Sequence, residues 1–358
     1  MVTNRRIFMQ GALALGAVPF LGKGAAASTY RFAVAGKAGT GYIVAVLDGG
    51  GSVLQTYPLE GRGHGLAVSP DGRKLAVFAR RPGYYIRMID LQSGEIERDI
   101  DPISDRHFYG HGFFTPDGNF LYATENDFDG EQGVLGIYDT RKNYVRVGEI
   151  DTGGIGPHEA LMMSDGKTIA VANGGIATHP DFPRQKLNVS EMKPSMVLLD
   201  AVSGDLMSRA TLPSEMHKLS IRHISEGNEG RVWFAGQQQG DKIRPVDMVG
   251  YYSPGKERLE LVSLPEEIAI ETRNYGGSVS ANPKAGLVAV SAPRGNMLLI
   301  FDEISGQLKD VFRHQDICAV SPKEEWFIGA TGRGAITISR NIVAEIADFK
   351  WDNHAIHL

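Results

Sequence analysis

This chain of 358 residues carries ten histidines and one cysteine, Cys318, and several of the histidines recur at a fixed spacing. His64, His111 and His158 follow one another at intervals of 47 residues. Neutral imidazoles that meet near a carboxylate, with no thiolate, form a donor set for copper, iron or zinc. Calcium and magnesium sites are built from oxygen instead. A transition-metal ion, such as iron or copper, is therefore the expected cofactor. The alternative is a non-covalent haem or an iron complex held between two axial rings. A c-type haem is excluded because no Cys-x-x-Cys-His run exists, and a lone cysteine allows no internal disulfide.

The surroundings of these histidines repeat as well. Gly63 to Gly72 runs into Lys74-Leu75-Ala76-Val77-Phe78, Gly110 to Gly118 into Phe120-Leu121-Tyr122-Ala123, and Pro157 to Gly166 into Thr168-Ile169-Ala170-Val171. Each unit is a short apolar strand, a Pro-Asp-Gly or Ser-Asp-Gly hairpin turn, and a second apolar strand. Weaker copies start near His217, Gly277 and Asp316, and a third and fourth strand follow each pair, as in Met297 to Asp302 and Leu308 to Phe312. Four strands per unit describe a propeller blade. Arg31 to Ala35, Tyr42 to Asp48 and Ser52 to Thr56 read as second, third and fourth strands without a first, and Asn353 to Leu358 resembles the missing one. The expected fold is an all-β, seven-bladed β-propeller over residues 28–358. Its ring is closed by a C-terminal first strand joined to the N-terminal second to fourth strands, which leaves no open sheet edge.

In such a ring the first strands line the central channel. The equivalent positions are His64, His111, His158, His217, Gly277, Asp316 and His354. We expect His64, His111, His158, His217 and His354 as metal ligands and Asp316 as a ligand or its support. The blade-four position has two candidates, because extra residues before Glu226-Gly227 let His223 replace His217. Arg62, Tyr109, Arg222 and Tyr275 fall near the start of first strands, where they could bind an anionic ligand or orient a metal-bound one. The competing structural reading is that these side chains bond backbone between neighbouring blades. Asn173 to Ser195 is an insertion on the same face, expected as a lid or docking surface.

The first 27 residues read as an address. Arg5-Arg6 precedes the apolar run Gly11 to Leu21 and the small residues Ala25-Ala26-Ala27, as in a twin-arginine signal peptide. Eleven apolar residues span about 16 Å, against roughly 30 Å of hydrocarbon. No stable membrane insertion is therefore expected after cleavage, and the mature protein is expected in the periplasm. The leader carries three cations and no acid, so the mature chain is more negative than the −5 of the whole sequence. Nucleic acid is not an expected partner.

Taken with the leader, Gly61-Arg62-Gly63-His64-Gly65, Gly110-His111-Gly112, Gly156-Pro157-His158-Glu159 and Asp352-Asn353-His354, the chain resembles the exported propeller family catalogued as domain of unknown function fifteen-thirteen. The resemblance covers essentially the whole chain. It implies a periplasmic role in iron acquisition or handling, with imelysin-like iron-uptake proteins as partners. The family has no assigned reaction, so no catalytic residue carries over. The ring is also similar to the histidine cluster at the propeller hub of nitrous oxide reductase, but the cupredoxin domain that feeds electrons to that enzyme is missing here. The expected function is a periplasmic metal-binding propeller. A metal- or haem-dependent oxidoreductase and a non-catalytic interaction scaffold are the alternatives.

Overall fold

The computed structural model describes residues 30–182, 185–241 and 243–358; the expected leader lies outside them. The described residues form seven four-stranded antiparallel sheets, and each sheet is one blade. The innermost strands are Gly63–Val68, Arg106–Phe114, Pro157–Met162, Leu219–Glu226, Ser278–Asn282, Ile317–Lys323 and Phe349–His357. We number the blades one to seven in that order.

The hairpin turns follow from their residues. In blade one Ser69 and Asp71 bond through their side chains, Gly72 N–H donates to Ser69 O at 2.8 Å, and Gly72 takes a φ of 70°. Glycine adopts that left-handed backbone at no steric cost. The Asp-Gly pairs at 117–118 and 165–166 repeat the turn.

Blade seven is built from both ends of the chain, as expected. Phe349–His357 lies against Arg31–Ala38, which continues to Gly41–Asp48 and Val53–Leu59. Phe32 opposes His357, Val34 opposes Ala355 and Gly36 opposes Trp351. The blades adhere through apolar faces. Val44, Val46, Leu75, Val77 and Ile89 meet between blades seven and one, and Trp233, Phe234 and Phe301 meet between blades four and five. Fully burying each aliphatic side chain of this kind contributes about 1.5–3 kcal/mol, so the rigid frame around the axis rests on many such contacts. No helix of the described residues is long and apolar enough to cross a membrane.

Candidate metal centre

A regular strand sends successive side chains to opposite faces, so neighbouring residues cannot both face the channel. Bulges lift that restriction in this ring. Strand register slips between Gly63 and Leu66, Phe108 and Gly112, Pro157 and Glu159, Ile221 and His223, and Ile317 and Ala319. It slips again in blade seven, opposite Val34 to Gly36. The residues caught in these slips include His64, His111, His158, Arg222, Cys318 and His354. A bulge re-aims side chains, and bulges are common beside functional sites. Blade five, whose equivalent position is Gly277, pairs without a slip from Ser278 to Asn282.

His64, His111, His158, His223 and His354 converge as a result, from five blades adjacent around the ring. Ring centroids lie 4.5 Å apart for His223 and His354, 4.8 Å for His64 and His111, and 5.8 Å for His64 and His223. Two glycines permit this approach. A Cβ on Gly65 would stand 2.7 Å from His111 Nδ1, and one on Gly110, whose φ is 103°, would stand 2.9 Å from His64 Cδ2. Rings this close leave no gap for a porphyrin between two of them, so the donors suit a bare ion rather than an enclosed haem.

Three groups bring donor atoms within 4.8 Å of one another: His64 with His223 and His354, His64 with His111 and His158, and His111 with Glu159 and His354. Two ligands about 2.1 Å from one ion stand at most about 4.2 Å apart. A loaded centre therefore needs the side chains to draw in by a fraction of an ångström. Nε2 of His111, His158, His223 and His354 and Nδ1 of His64 are buried without a hydrogen-bond partner. Buried polar atoms normally have one, and the Nε2 atoms of His111, His223 and His354 lacking it at one locus form a set of metal-ligand lone pairs.

Glu159 orders the cluster. Its Oε2 accepts from Ile224 N–H at 3.1 Å and lies 3.2 Å from His223 Nδ1, while its Oε1 lies 3.4 Å from His111 Nδ1. A carboxylate there holds the proton on Nδ1 of both rings and leaves each Nε2 lone pair for a metal. Burial alone would raise the Glu159 carboxyl, but His111 and His223 hold it well below the usual range. Asp352 stands 3.7 Å from His64 Nδ1 and is paired with Arg62. Burial would raise this acid too, and His64 and Arg62 hold it low. His158 differs from the other rings. Arg222 Nη1 lies 3.2 Å from its Nδ1, and a guanidinium only donates, so in the neutral ring the proton sits on Nε2.

Burial lowers His64 to about 3, and it also holds His158, His223 and His354 below the usual imidazole value. Unfolded, these rings take up protons near pH 6.5. Between about pH 6.5 and 3 the metal-free unfolded chain therefore binds more protons than the folded one, and stability falls as pH falls. The thermal midpoint of chelator-treated protein should decline steadily from pH 7 to pH 4, and a flat profile would contradict the burial of these rings.

Two expected ligands are corrected. His217 is not at the channel. It follows the short turn Ser214–Met216, and its Nδ1 lies 2.9 Å from Ser214 O, two residues before the inner strand begins at Leu219. His223 takes the blade-four place. Asp316 belongs to none of the three donor groups. It is a left-handed residue (φ 55°) just ahead of the Ile317–Lys323 strand, and it borders a separate cavity with Arg62, Cys318 and Asp352. Cys318 is buried, and burial pushes its thiol far up, which disfavours the thiolate a metal would need.

Of the four residues expected to meet an anion, Tyr109, Arg222 and Tyr275 line a cavity that also reaches His64, His158 and His223. Arg62 instead borders the Asp316 cavity and is engaged by Asp352; Tyr275 lies at both. The Asn173 to Ser195 insertion folds against the first cavity, with Thr178 Oγ1 3.1 Å from Tyr109 OH and Lys186 in the wall. Glu159, Asp352, Arg80, Arg81 and Arg294 were not among the expected site residues.

The sequence profile of a family described as "Protein of unknown function (DUF1513)" matches residues 57–358. No curated protein matches the chain. Among solved structures, one titled "Kuenenia stuttgartiensis Hydrazine Synthase" aligns over 84% of this chain and 90% of its own, with a TM-score of 0.63 and 15% identity. At that identity the likeness is one of fold.

Proposed function

This chain belongs to the family described as protein of unknown function DUF1513, and from that membership, which brings no assigned reaction, we propose that it is a periplasmic protein holding one transition-metal ion, iron or copper, on the propeller axis in the service of iron acquisition or handling. The observation that carries the reading is the pair His111 and His223. Both Nε2 atoms are buried without a partner, and both Nδ1 atoms face one carboxylate, Glu159. His64 and His354 complete the ligand set, with Asp352 supporting His64. The ion would supply a Lewis-acid or redox centre, and the chain's own part is to fix the tautomers and exclude competing donors. Export by the twin-arginine route and association with imelysin-like proteins belong to the same proposal and rest on the leader and on the family.

Elemental analysis of protein exported in its native host tests the reading. The native chain should retain about one metal ion through dialysis against a chelator, and the H111A/H223A double variant less than a tenth of that. Equal, trace metal in both would reject the reading.

The cavity that reaches His64, His158 and His223 favours a second reading, a metal-dependent oxidoreductase, because it gives a small molecule access to the centre. An absorption band that bleaches and returns through a redox cycle supports it; a spectrally silent, redox-inert loaded protein counts against it.

A further inference from the structure

The cavity beside the histidines has a volume of about 220 Å3, and Arg80, Arg81, Arg222 and Arg294 stand in its wall with Tyr109 and Tyr275. Among the described residues, no Asp or Glu lines it. None of the four arginines has a carboxylate partner there either, although arginines elsewhere on the chain do, such as Arg87 with Asp99 and Arg313 with Glu271. This concentration of positive charge sits in a chain whose formal charge is −5.

The arginines are held in place. Arg81 lies over the Tyr109 ring at 5.9 Å and Arg294 over the Tyr275 ring at 4.0 Å. Arg222 Nε is buried with no hydrogen-bond partner. A guanidinium keeps its proton in proteins, so Arg222 brings a full positive charge to the cavity wall. Arg81 and Arg222 are half-buried and Arg80 and Arg294 more exposed; like charges gathered at one cavity without counter-charge repel one another, and an anion there relieves that repulsion. Guanidinium forks pair bidentately with carboxylate or phosphate oxygens.

We propose that this cavity binds a small oxyanion carrying two or more negative charges, a polycarboxylate or a phosphate, with one of its oxygens directed at the metal centre. The contact with the metal rests on the metal-binding reading above; the anion site itself does not. His158, with its proton on Nε2, adds a neutral donor at the border between cavity and centre.

The test is calorimetric titration of the protein with citrate, inorganic phosphate and acetate at matched ionic strength, metal-stripped and zinc-loaded. Citrate or phosphate should bind the metal-stripped protein at least tenfold more tightly than acetate, and more weakly as salt is raised. Tighter binding of citrate identifies a polycarboxylate site, and tighter binding of phosphate a phosphate site. The R81Q/R294Q variant should lose at least tenfold in affinity while keeping its metal content, and R294Q alone provides the comparison if the double variant does not fold. Binding of neither multivalent probe, or undiminished binding by the variants, overturns the proposal. Anion binding by a protein that takes up no metal would leave the anion site standing and reject the metal reading. Equal affinity with and without bound zinc would overturn the contact between anion and ion.

Discussion

Replacing Glu159 by glutamine is expected to weaken metal binding between about tenfold and a hundredfold, the range found when a residue supporting metal ligands is lost. The size of the effect follows from protons. Glu159 faces Nδ1 of His111 on one side and Nδ1 of His223 on the other, and only an acceptor on both sides lets both rings keep Nδ1 protonated. A glutamine amide offers one acceptor and one donor. The ring that meets the NH2 group must shift its proton to Nε2, and the centre then loses one of its two best-ordered lone pairs. Competition against a chelator of known affinity measures the loss. Glu226→Gln is a fitting control, because Glu226 caps Ser164 N–H at 2.7 Å and touches no ring of the cluster. Unchanged affinity in E159Q would remove Glu159 from the site.

Deleting Phe349–Leu358 is expected to abolish the folded monomer. That strand carries Trp351, 3% exposed and packed in the core with Phe32, Val34 and Ile328. Truncating a core aromatic costs about 3–5 kcal/mol. Losing the strand also strips the Arg31–Ala38 strand of its inner partner and bares the flank of blade one. Against a total stability of about 5–15 kcal/mol, the ring cannot stay closed. Size-exclusion chromatography should show aggregate or an expanded chain, and circular dichroism should show no cooperative melt. A compact, cooperatively melting deletion variant would contradict the role given to the closing strand. Trp351→Ala should lower the thermal midpoint by several degrees while leaving the architecture intact.

The architecture was legible in the sequence because turns and periodicity are local. Asp71-Gly72, Asp117-Gly118 and Asp165-Gly166 mark the hairpins, and the orphan strands after Arg31 pointed to a partner near His354. The site was harder to read, because bulges break the counting that reveals strands. Glu159 stands next to His158, and in a regular strand it would face away; the slip between Pro157 and Glu159 turns it toward His111 and His223. The same device at Arg222 places His223 in the centre, whereas His217 aligns with the other strand starts but stands too far ahead of Glu226-Gly227. Asp316 aligns with the other strand starts, yet it precedes its inner strand in a left-handed backbone and borders a separate cavity together with Cys318. Arg80, Arg81 and Arg294 follow second strands rather than begin first ones, and only the closed ring brings them to one cavity.

His354 and Asp352 sit on the stretch of chain that is translated after every other blade. Until it docks, an ion finds neither the fifth imidazole nor the acid behind His64, so a nascent or proteolytically clipped molecule offers an incomplete cage. On the metal reading proposed above, occupancy would then report on whether the ring has closed.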